Sequence, residues 1–383
     1  MKTRAAVLHG VGQPWSVEEI ELDGPGPGEV LVKTAFAGLC HSDEHLVTGD
    51  MVPPQELLDL LPGGTIFPIV GGHEGSGVVV SVGQGVTKVV PGDHVSCSFV
   101  PACGVCRPCA EGMQNLCDLG AGTFGGGMIT DGTYRHHTSD GQNLGTLAKL
   151  GTFAEHMLLA DSSVIKVEPD LPLDVVCLVS CGVATGYGSA VTRAEVKAGD
   201  TVVVVGCGGI GSNAVQGAVA AGAVNVIAVD PVMFKQEKAA EFGATHAVAS
   251  MEEAMPLVNE LTWGRMADAT ILTPGVLHGD MIQPAMMLTK KGGTVVATAV
   301  APMSQTDVKL DLARMTLSQK ELRGTIFGSA SPAARIPELL MMYRQGRLKL
   351  DELITRRYSL DEINQGYQDM NDGKNIRGVI AFD

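Results

Sequence analysis

The sequence predicts an α/β protein in which a β-rich domain accompanies a doubly wound parallel sheet of six strands. The 383 residues are too many for one ordinary hydrophobic core, so two domains are expected. Short strands separated by Gly and Pro fill residues 1 to about 180, and apolar strands alternating with helical stretches follow. Apolar residues make up 45% of the chain and glycines number 49, which suits close packing of helices on a sheet.

The first part of the chain is predicted to be an all-β, partly open barrel. Its strands are bounded by turn residues, and residues 120 to 150 form a polar, Gly-rich loop between two of them. His136 and His137 lie beside Arg135 in this loop, and they are interpreted either as solvated side chains or as ligands of an anion or metal. The predicted strands are 4–9, 28–38, 75–83, 93–99, 151–159 and 162–167.

The second part is predicted to form the parallel sheet, with helices on both faces. After it, a helix, a short strand, a helix and the strand IRGVIAF are expected, and that last strand is predicted to return to the first domain. The predicted domains are 1–182, 183–326 and 327–383, the last being the C-terminal part of the first. The six strands are predicted at about 201–206, 225–229, 246–249, 268–272, 294–299 and 323–327.

Composition excludes several kinds of function. A formal charge of −15 disfavours nucleic acid and anionic membranes as partners. The N-terminus has no apolar stretch of the kind a signal peptide carries, and no run approaches the roughly 18 apolar residues of a membrane span. We therefore expect a cytoplasmic protein, in which disulfides are disfavoured.

Four cysteines follow one another in CGVCRPCAEGMQNLC, with the spacing C-x2-C-x2-C-x7-C. Such spacing lets four thiolates converge on one ion, and four thiolates with no open position describe a structural zinc site. The predicted lobe spans about 99–120. The alternatives are a loop with free thiols and an iron–sulfur cluster. The four ligands would be Cys103, Cys106, Cys109 and Cys117.

A glycine-rich turn predicts a nucleotide site. The motif G-x-G-x-x-G follows the strand TVVVV and opens a helix, and Asp230 comes 19 residues after its last glycine. Such a carboxylate accepts hydrogen bonds from the adenosine ribose and repels a 2′-phosphate, so NAD is favoured over NADP. Lys235 is either a second ribose contact or a surface lysine, and a turn without ligand is the alternative. The motif glycines are Gly206, Gly208, Gly209 and Gly211.

Three further residues are candidate metal ligands. Cys40 lies in CHSDEH, His73 in GHEG, and Cys181 just before the nucleotide-binding part. Taken singly, each has an ordinary alternative, since a lone cysteine is usually a small buried side chain. Three other cysteines are interpreted as packing residues, namely Cys97, Cys177 and Cys207.

The ordered set C-H-S-D, G-H-E-G, the four-cysteine lobe, a later cysteine and G-C-G-G-I-G resembles one family over essentially the whole chain. It is that of the zinc-containing, long-chain alcohol dehydrogenases of the medium-chain dehydrogenase/reductase superfamily. The resemblance implies a GroES-like catalytic domain with a Rossmann domain inserted before its C-terminal part. It also implies two Zn²⁺ per subunit, one catalytic and one structural, together with NAD.

The resemblance assigns the catalytic zinc to Cys40, His73 and Cys181, which leave a fourth position for the substrate oxygen. Glu74 and Asp43 would surround these ligands, and Asp43 would accept a hydrogen bond from the free ring nitrogen of His73.

The remaining site residues are also implied by the resemblance. Ser42 would receive the alcohol proton, and His45 would pass it through the nicotinamide ribose to water. Phe99 would line the substrate pocket. The cofactor contacts would be Thr185 and Ile210 at the nicotinamide, and His41 and Arg377 at the pyrophosphate.

Two features depart from many relatives. His41 stands where an arginine is common, which would weaken a pyrophosphate contact. An insert at about 50–66 carries Leu57, Leu58, Leu60 and Leu61, and it is either core, interface or a lid over the site. The phrases TGDMVP and FPIVGGHEGSG resemble the NDMA-dependent branch, whose members hold NAD permanently.

The predicted activity is reversible hydride transfer between an alcohol and NAD, giving an aldehyde or ketone. The alternatives are a thiol-dependent formaldehyde dehydrogenase and a non-catalytic protein that has kept the fold. By resemblance we expect a homodimer or homotetramer with a small-molecule alcohol or aldehyde as its partner.

Overall fold

A computed structural model of the chain describes residues 1–59, 64–120 and 126–382. The chain divides into two compact units, Met1–Cys181 with Ser331–Asp383, and Gly182–Ala330. The divisions lie one residue before the predicted boundary at 182/183 and four residues after the one at 326/327. The first unit is thus built from both ends of the chain.

The elements are numbered in chain order. The strands are β1 Lys2–Leu8, β2 Ser16–Leu22, β3 Glu29–Gly38, β4 Ile69–Val70, β5 Gly75–Val82, β6 His94–Cys97, β7 His136–His137, β8 Asn143–Thr146, β9 His156–Ala160, β10 Val164–Lys166, β11 Thr201–Val205, β12 Asn225–Val229, β13 His246–Val248, β14 Ala267–Leu272, β15 Thr289–Ala297, β16 Glu321–Gly324, β17 Ile354–Tyr358 and β18 Arg377–Ala381. The α-helices are α1 His41–Thr48, α2 Gln55–Leu58, α3 Arg107–Ala110, α4 Leu173–Val179, α5 Gly182–Gly188, α6 Gly209–Ala220, α7 Met233–Glu241, α8 Met251–Leu261, α9 Ile282–Leu288, α10 Leu312–Leu317, α11 Pro332–Arg344 and α12 Ile363–Asn371.

The first unit holds a small closed barrel and a seven-stranded sheet. The barrel runs β1-β2-β7-β8-β4, and β4 closes it by pairing with β1. The sheet has the order β10-β6-β5-β3-β18-β17, with β9 also paired to β3. Because β18 pairs antiparallel with β3, the C-terminal strand returns to the first unit as predicted.

The second unit is the predicted doubly wound sheet. Its six strands are all parallel in the order β13-β12-β11-β14-β15-β16, so the chain reverses direction across the sheet at β11. Every residue of β11, TVVVV, is buried, as a strand covered on both faces requires. The predicted fold class is therefore confirmed.

Some elements differ from the prediction. The region predicted as a long loop contains β7 and β8, and His136 is buried there and not solvated. Both β2 and α1 were outside the predicted elements. The pattern SVEEIEL buries only Ile20 and Leu22, which is too few apolar positions to mark a strand clearly.

The insert is partly anchored in the core of the first unit. Its short helix α2 buries Leu58 among apolar residues that include Leu46 and Ile66, whereas Leu57 is about half exposed. Leu58 is thus a core residue of the first unit, whereas the role of the insert as a lid stays a prediction. Leu60 and Leu61 lie outside the described residues.

Across the described ranges, no single helix is both long enough and apolar enough to span a membrane. One broken pair, Leu173–Val179 with Gly182–Arg193, meets the test by length and composition alone, and most of its residues are buried.

Candidate active site

The first unit buries a compact group of possible metal ligands. The sulfurs of Cys40 and Cys181, a ring nitrogen of His73 and a carboxylate oxygen of Glu74 all lie within 4.8 Å of one another. Cys40 lies between β3 and α1, His73 and Glu74 lie just before β5, and Cys181 follows α4. Long-range strand pairing thus gathers residues that are far apart in sequence.

The protonation of this group suits a divalent metal. A hydrogen bond from Cys181 lowers the pKa of Cys40 well below its usual value, and the same bond raises the pKa of Cys181 well above it. Burial lowers the pKa of His73, but Asp43 and Cys40 outweigh burial and raise it well above its usual value. Protons on the Cys181 thiol and the His73 ring stabilise the thiolate of Cys40. A bound cation would displace these protons, because a divalent metal takes thiolates and a neutral imidazole as ligands.

Asp43 orients the histidine. Its Oδ2 lies 3.1 Å from Nδ1 of His73, and its Oδ1 accepts a hydrogen bond from the Gly72 N–H at 2.9 Å. The other ring nitrogen, Nε2, is buried and makes no hydrogen bond of regular geometry within the described part of the chain. A carboxylate on one nitrogen and an open second nitrogen form the arrangement of a metal-ligating histidine.

Glu74 is buried and faces Arg377. The Arg377 guanidinium donates hydrogen bonds to Glu74 Oε2 and, at 3.0 Å, to the Leu39 carbonyl. Burial raises the pKa of Glu74 to about 7, although Arg377 opposes the rise. The sequence predicted Glu74 around the metal and Arg377 at the cofactor pyrophosphate. The structure places Arg377 on Glu74, with 4% of its surface exposed, and the pyrophosphate contact stays a prediction.

The predicted relay residues share one helix. Ser42 Oγ lies 3.8 Å from Cys40 Sγ, and His45 follows three residues later on α1, where it is buried. Residues three apart lie on the same side of a helix. His41, at the start of α1, has its ring 6.3 Å from the ring of His45. Phe99 meets the ring of His73 edge-on at 5.8 Å and provides an apolar wall beside it.

The four-cysteine lobe converges as its spacing predicts. Sγ of Cys103 lies 4.0 Å from Sγ of Cys109, and Sγ of Cys106 lies 3.9 Å from Sγ of Cys117. Sulfurs bound about 2.3 Å from a tetrahedral zinc lie about 3.8 Å apart, so the lobe fits that ion. Backbone N–H groups of Cys106 and Val105 lower the pKa of Cys103 to about 7, which favours a thiolate there.

The second unit carries the glycine turn between β11 and α6. Gly206 has φ +89°, and a Cβ on Gly211 would lie 1.8 Å from the Gly206 carbonyl oxygen, so neither position accepts a side chain. Asp230 follows β12, and its Oδ2 accepts a hydrogen bond from the Cys207 N–H at 2.8 Å. The carboxylate is therefore fixed beside the turn. The other predicted contacts in this unit are the half-buried Ile210 at the start of α6, the half-buried Lys235 in α7 and the buried Thr185 in α5.

Both halves of the chain match known families. Residues 26–170 match the family described as "Alcohol dehydrogenase GroES-like domain", and residues 209–344 match that described as "Zinc-binding dehydrogenase". The NDMA-dependent alcohol dehydrogenase of Amycolatopsis methanolica is 56% identical over 380 residues, which cover 99% of each chain. Alcohol dehydrogenase B of Mycobacterium tuberculosis is 49% identical, over 100% of this chain and 99% of the relative.

The chain belongs to the zinc-containing alcohol dehydrogenases of the medium-chain dehydrogenase/reductase superfamily.

A solved relative supports the same architecture for this alcohol dehydrogenase. The crystal structure of benzyl alcohol dehydrogenase from Acinetobacter calcoaceticus superposes with a TM-score of 0.89 at 28% identity, covering 100% of both chains. The predicted GroES-like and Rossmann folds are thus confirmed, as is the predicted activity class.

Sequence reasoning missed two partners in the site of this alcohol dehydrogenase. It did not anticipate that Arg377 would pair with Glu74, because the two lie 303 residues apart and nothing local signals the contact. It also gave no role to Asp50, whose Oδ2 lies 3.3 Å from Nδ1 of His45. Asp50 follows His45 by only five residues in the sequence. Its approach to the imidazole could be predicted only with the knowledge that α1 ends between the two.

Proposed function

We propose that this alcohol dehydrogenase oxidises small alcohols to aldehydes or ketones with an NAD that stays bound through the catalytic cycle. The observation that carries the chemistry is the buried Cys40–His73–Cys181 group, with the Ser42 hydroxyl 3.8 Å from Cys40 Sγ. The observation that favours a retained cofactor is the 56% identity to a relative named for NDMA dependence.

The first unit would hold a catalytic zinc on Cys40, His73 and Cys181. A bound zinc acts as a Lewis acid that lowers the pKa of the alcohol. Two thiolates and one imidazole would balance the charge of the ion. Asp43 keeps His73 in the tautomer that presents Nε2, and Ser42 accepts the alcohol proton, which His45 passes on.

NAD would bind at the glycine turn, with Asp230 on the adenosine ribose. The fixed carboxylate repels a 2′-phosphate, which supports NAD over NADP. Lys235 would reach the same ribose, and Ile210 and Thr185 would contact the nicotinamide. His41 and Arg377 remain proposed pyrophosphate contacts, and for Arg377 this requires sharing its guanidinium with Glu74.

A second, structural zinc would fill the four-cysteine lobe. The sulfur separations of 3.9 and 4.0 Å support a tetrahedral ion there. The substrate would be a small apolar alcohol, because Phe99 forms a wall at the catalytic group.

We propose a cytoplasmic homodimer or homotetramer without nucleic-acid or membrane partners. The formal charge of −15 supports the absence of polyanionic partners.

A thiol-dependent formaldehyde dehydrogenase is the less supported alternative. Relatives at 49% and 56% identity carry alcohol dehydrogenase names. Turnover of formaldehyde only in the presence of a small thiol would favour this alternative.

The decisive experiment uses the protein as purified, without added cofactor. We expect close to one NAD per subunit after denaturation, about two zinc ions per subunit, and alcohol turnover with an artificial acceptor such as NDMA. Added NAD should not raise that turnover. An empty nucleotide site with turnover driven by free NAD would contradict the retained cofactor, and bound NADP would contradict the role of Asp230.

A further inference from the structure

The helix that carries Ser42 ends in a turn that brings a carboxylate back towards His45. Gly49 ends α1 with φ +90°, and a Cβ there would lie 3.2 Å from Val11 Cγ1, so glycine is required. The Met51 N–H then donates to the His45 carbonyl at 3.0 Å, which ties the turn to the helix. This geometry sets Asp50 beside the imidazole.

Two contacts fix the Asp50 carboxylate. Its Oδ2 lies 3.3 Å from Nδ1 of His45 and accepts a hydrogen bond from Thr48 Oγ1 at 2.7 Å. The side chain of His45 is 3% exposed, whereas that of Asp50 is 27% exposed. The pair therefore leads from a buried imidazole to an acid that reaches solvent.

A carboxylate beside one ring nitrogen selects the tautomer of a neutral histidine. The nitrogen that faces the acceptor carries the hydrogen, so Nδ1 of His45 is the donor and Nε2 keeps its lone pair. A base must present a lone pair to the proton that it accepts.

We propose that Asp50 is a positioning residue that makes His45 the proton acceptor of the relay, and this rests on the proposed function. The alcohol O–H bond breaks, and its electron pair stays on the oxygen. Its proton passes by way of Ser42 to Nε2 of His45. In the imidazolium, the Nδ1–H stays hydrogen-bonded to the carboxylate of Asp50. The ring then releases the proton from Nε2 to water, which restores the starting tautomer. Oxidation of the alcohol carbon is the hydride transfer of the proposed reaction and does not involve Asp50.

The test compares single-turnover rates of alcohol oxidation in variants of the full-length enzyme. Asp50→Asn should lower the rate about 10- to 100-fold, by analogy with the loss of the carboxylate behind a metal-ligating histidine. The KM for the alcohol should change much less, because Asp50 touches no substrate in the proposal. Asp50→Glu, which keeps the carboxylate, should recover part of the rate.

A double variant distinguishes positioning from general damage. If Asp50 acts through His45, Asp50→Asn added to His45→Gln should cause no further loss. Glu18→Gln is the matched control, since Glu18 forms an exposed pair with His9 at 2.8 Å elsewhere in the first unit. It should react at the wild-type rate. If Asp50→Asn does not fold, Thr48→Val tests the same contact by removing the hydroxyl that holds Asp50, with a smaller loss expected.

The outcomes separate the two proposals. A wild-type enzyme that turns over alcohol while Asp50→Asn keeps the full rate would overturn the inference alone. Independent, multiplicative losses in the double variant would do the same. A wild-type enzyme with zinc and NAD but no alcohol turnover would refute the proposed function, and the role of Asp50 with it.

Discussion

At the scale of single residues, the burial of His136 should make the free energy of unfolding depend on pH. Its Nε2 has no hydrogen-bond partner among the described residues, and burial lowers its pKa from 6.5 to about 4. The unfolded chain therefore binds a proton between about pH 6.5 and 4 that the folded chain does not. Stability should fall by about 3 kcal/mol as the pH drops through this window, then level off.

Urea unfolding at several pH values tests this, with His136→Leu as the comparison. The variant should lose less stability than the wild type between pH 7 and pH 4. Parallel curves would contradict the assignment. The sequence predicted a solvated loop for His136, because the flanking residues are polar and glycine-rich. Its burial follows from the place of β7 in the barrel, where this strand pairs with the distant β2, and such a pairing leaves no local pattern in the sequence.

At the scale of elements, the convergence of the four cysteines could be predicted from their spacing, whereas α1 was not recognised. Four cysteines at short intervals can converge without any pattern of apolar residues, and the proposed zinc would supply the remaining order. Helix α1 has eight residues and few apolar positions, so no periodicity marks it. The helix has a consequence for the site, because it places Ser42 and His45 on one side.

The lobe should depend on its metal for order. Cys109→Ser should reduce zinc from about two ions to one per subunit, because three thiolates leave a structural site open. A Glu-specific protease should then cleave after Glu111, whose side chain is 46% exposed directly after α3. Metal analysis and timed proteolysis measure both effects. Cys207→Ser, outside either cysteine group, is the control, and a Cys109→Ser protein with two zinc ions would contradict the lobe as a metal site.

At the scale of the whole molecule, the return of β18 to the first unit could be predicted, but its chemical consequence could not. The order of apolar strands showed that the second sheet was complete before the last strand began. Which buried group that strand would meet depends on its register against β3. That register brings Arg377 to Glu74, so the C-terminus completes the neighbourhood of the ligands.

This pairing should hold both ends of the first unit together. Arg377→Met would leave the carboxylate of Glu74 buried without its cation, and removing one partner of a buried ion pair costs about 3–5 kcal/mol. Adding Glu74→Gln removes the stranded charge, so the double variant should recover most of the loss, apart from the hydrogen bond to the Leu39 carbonyl. Urea unfolding of both variants measures this difference. An equal loss in the single and double variants would show that Arg377 stabilises the fold through its other contacts and that Glu74 does not depend on it.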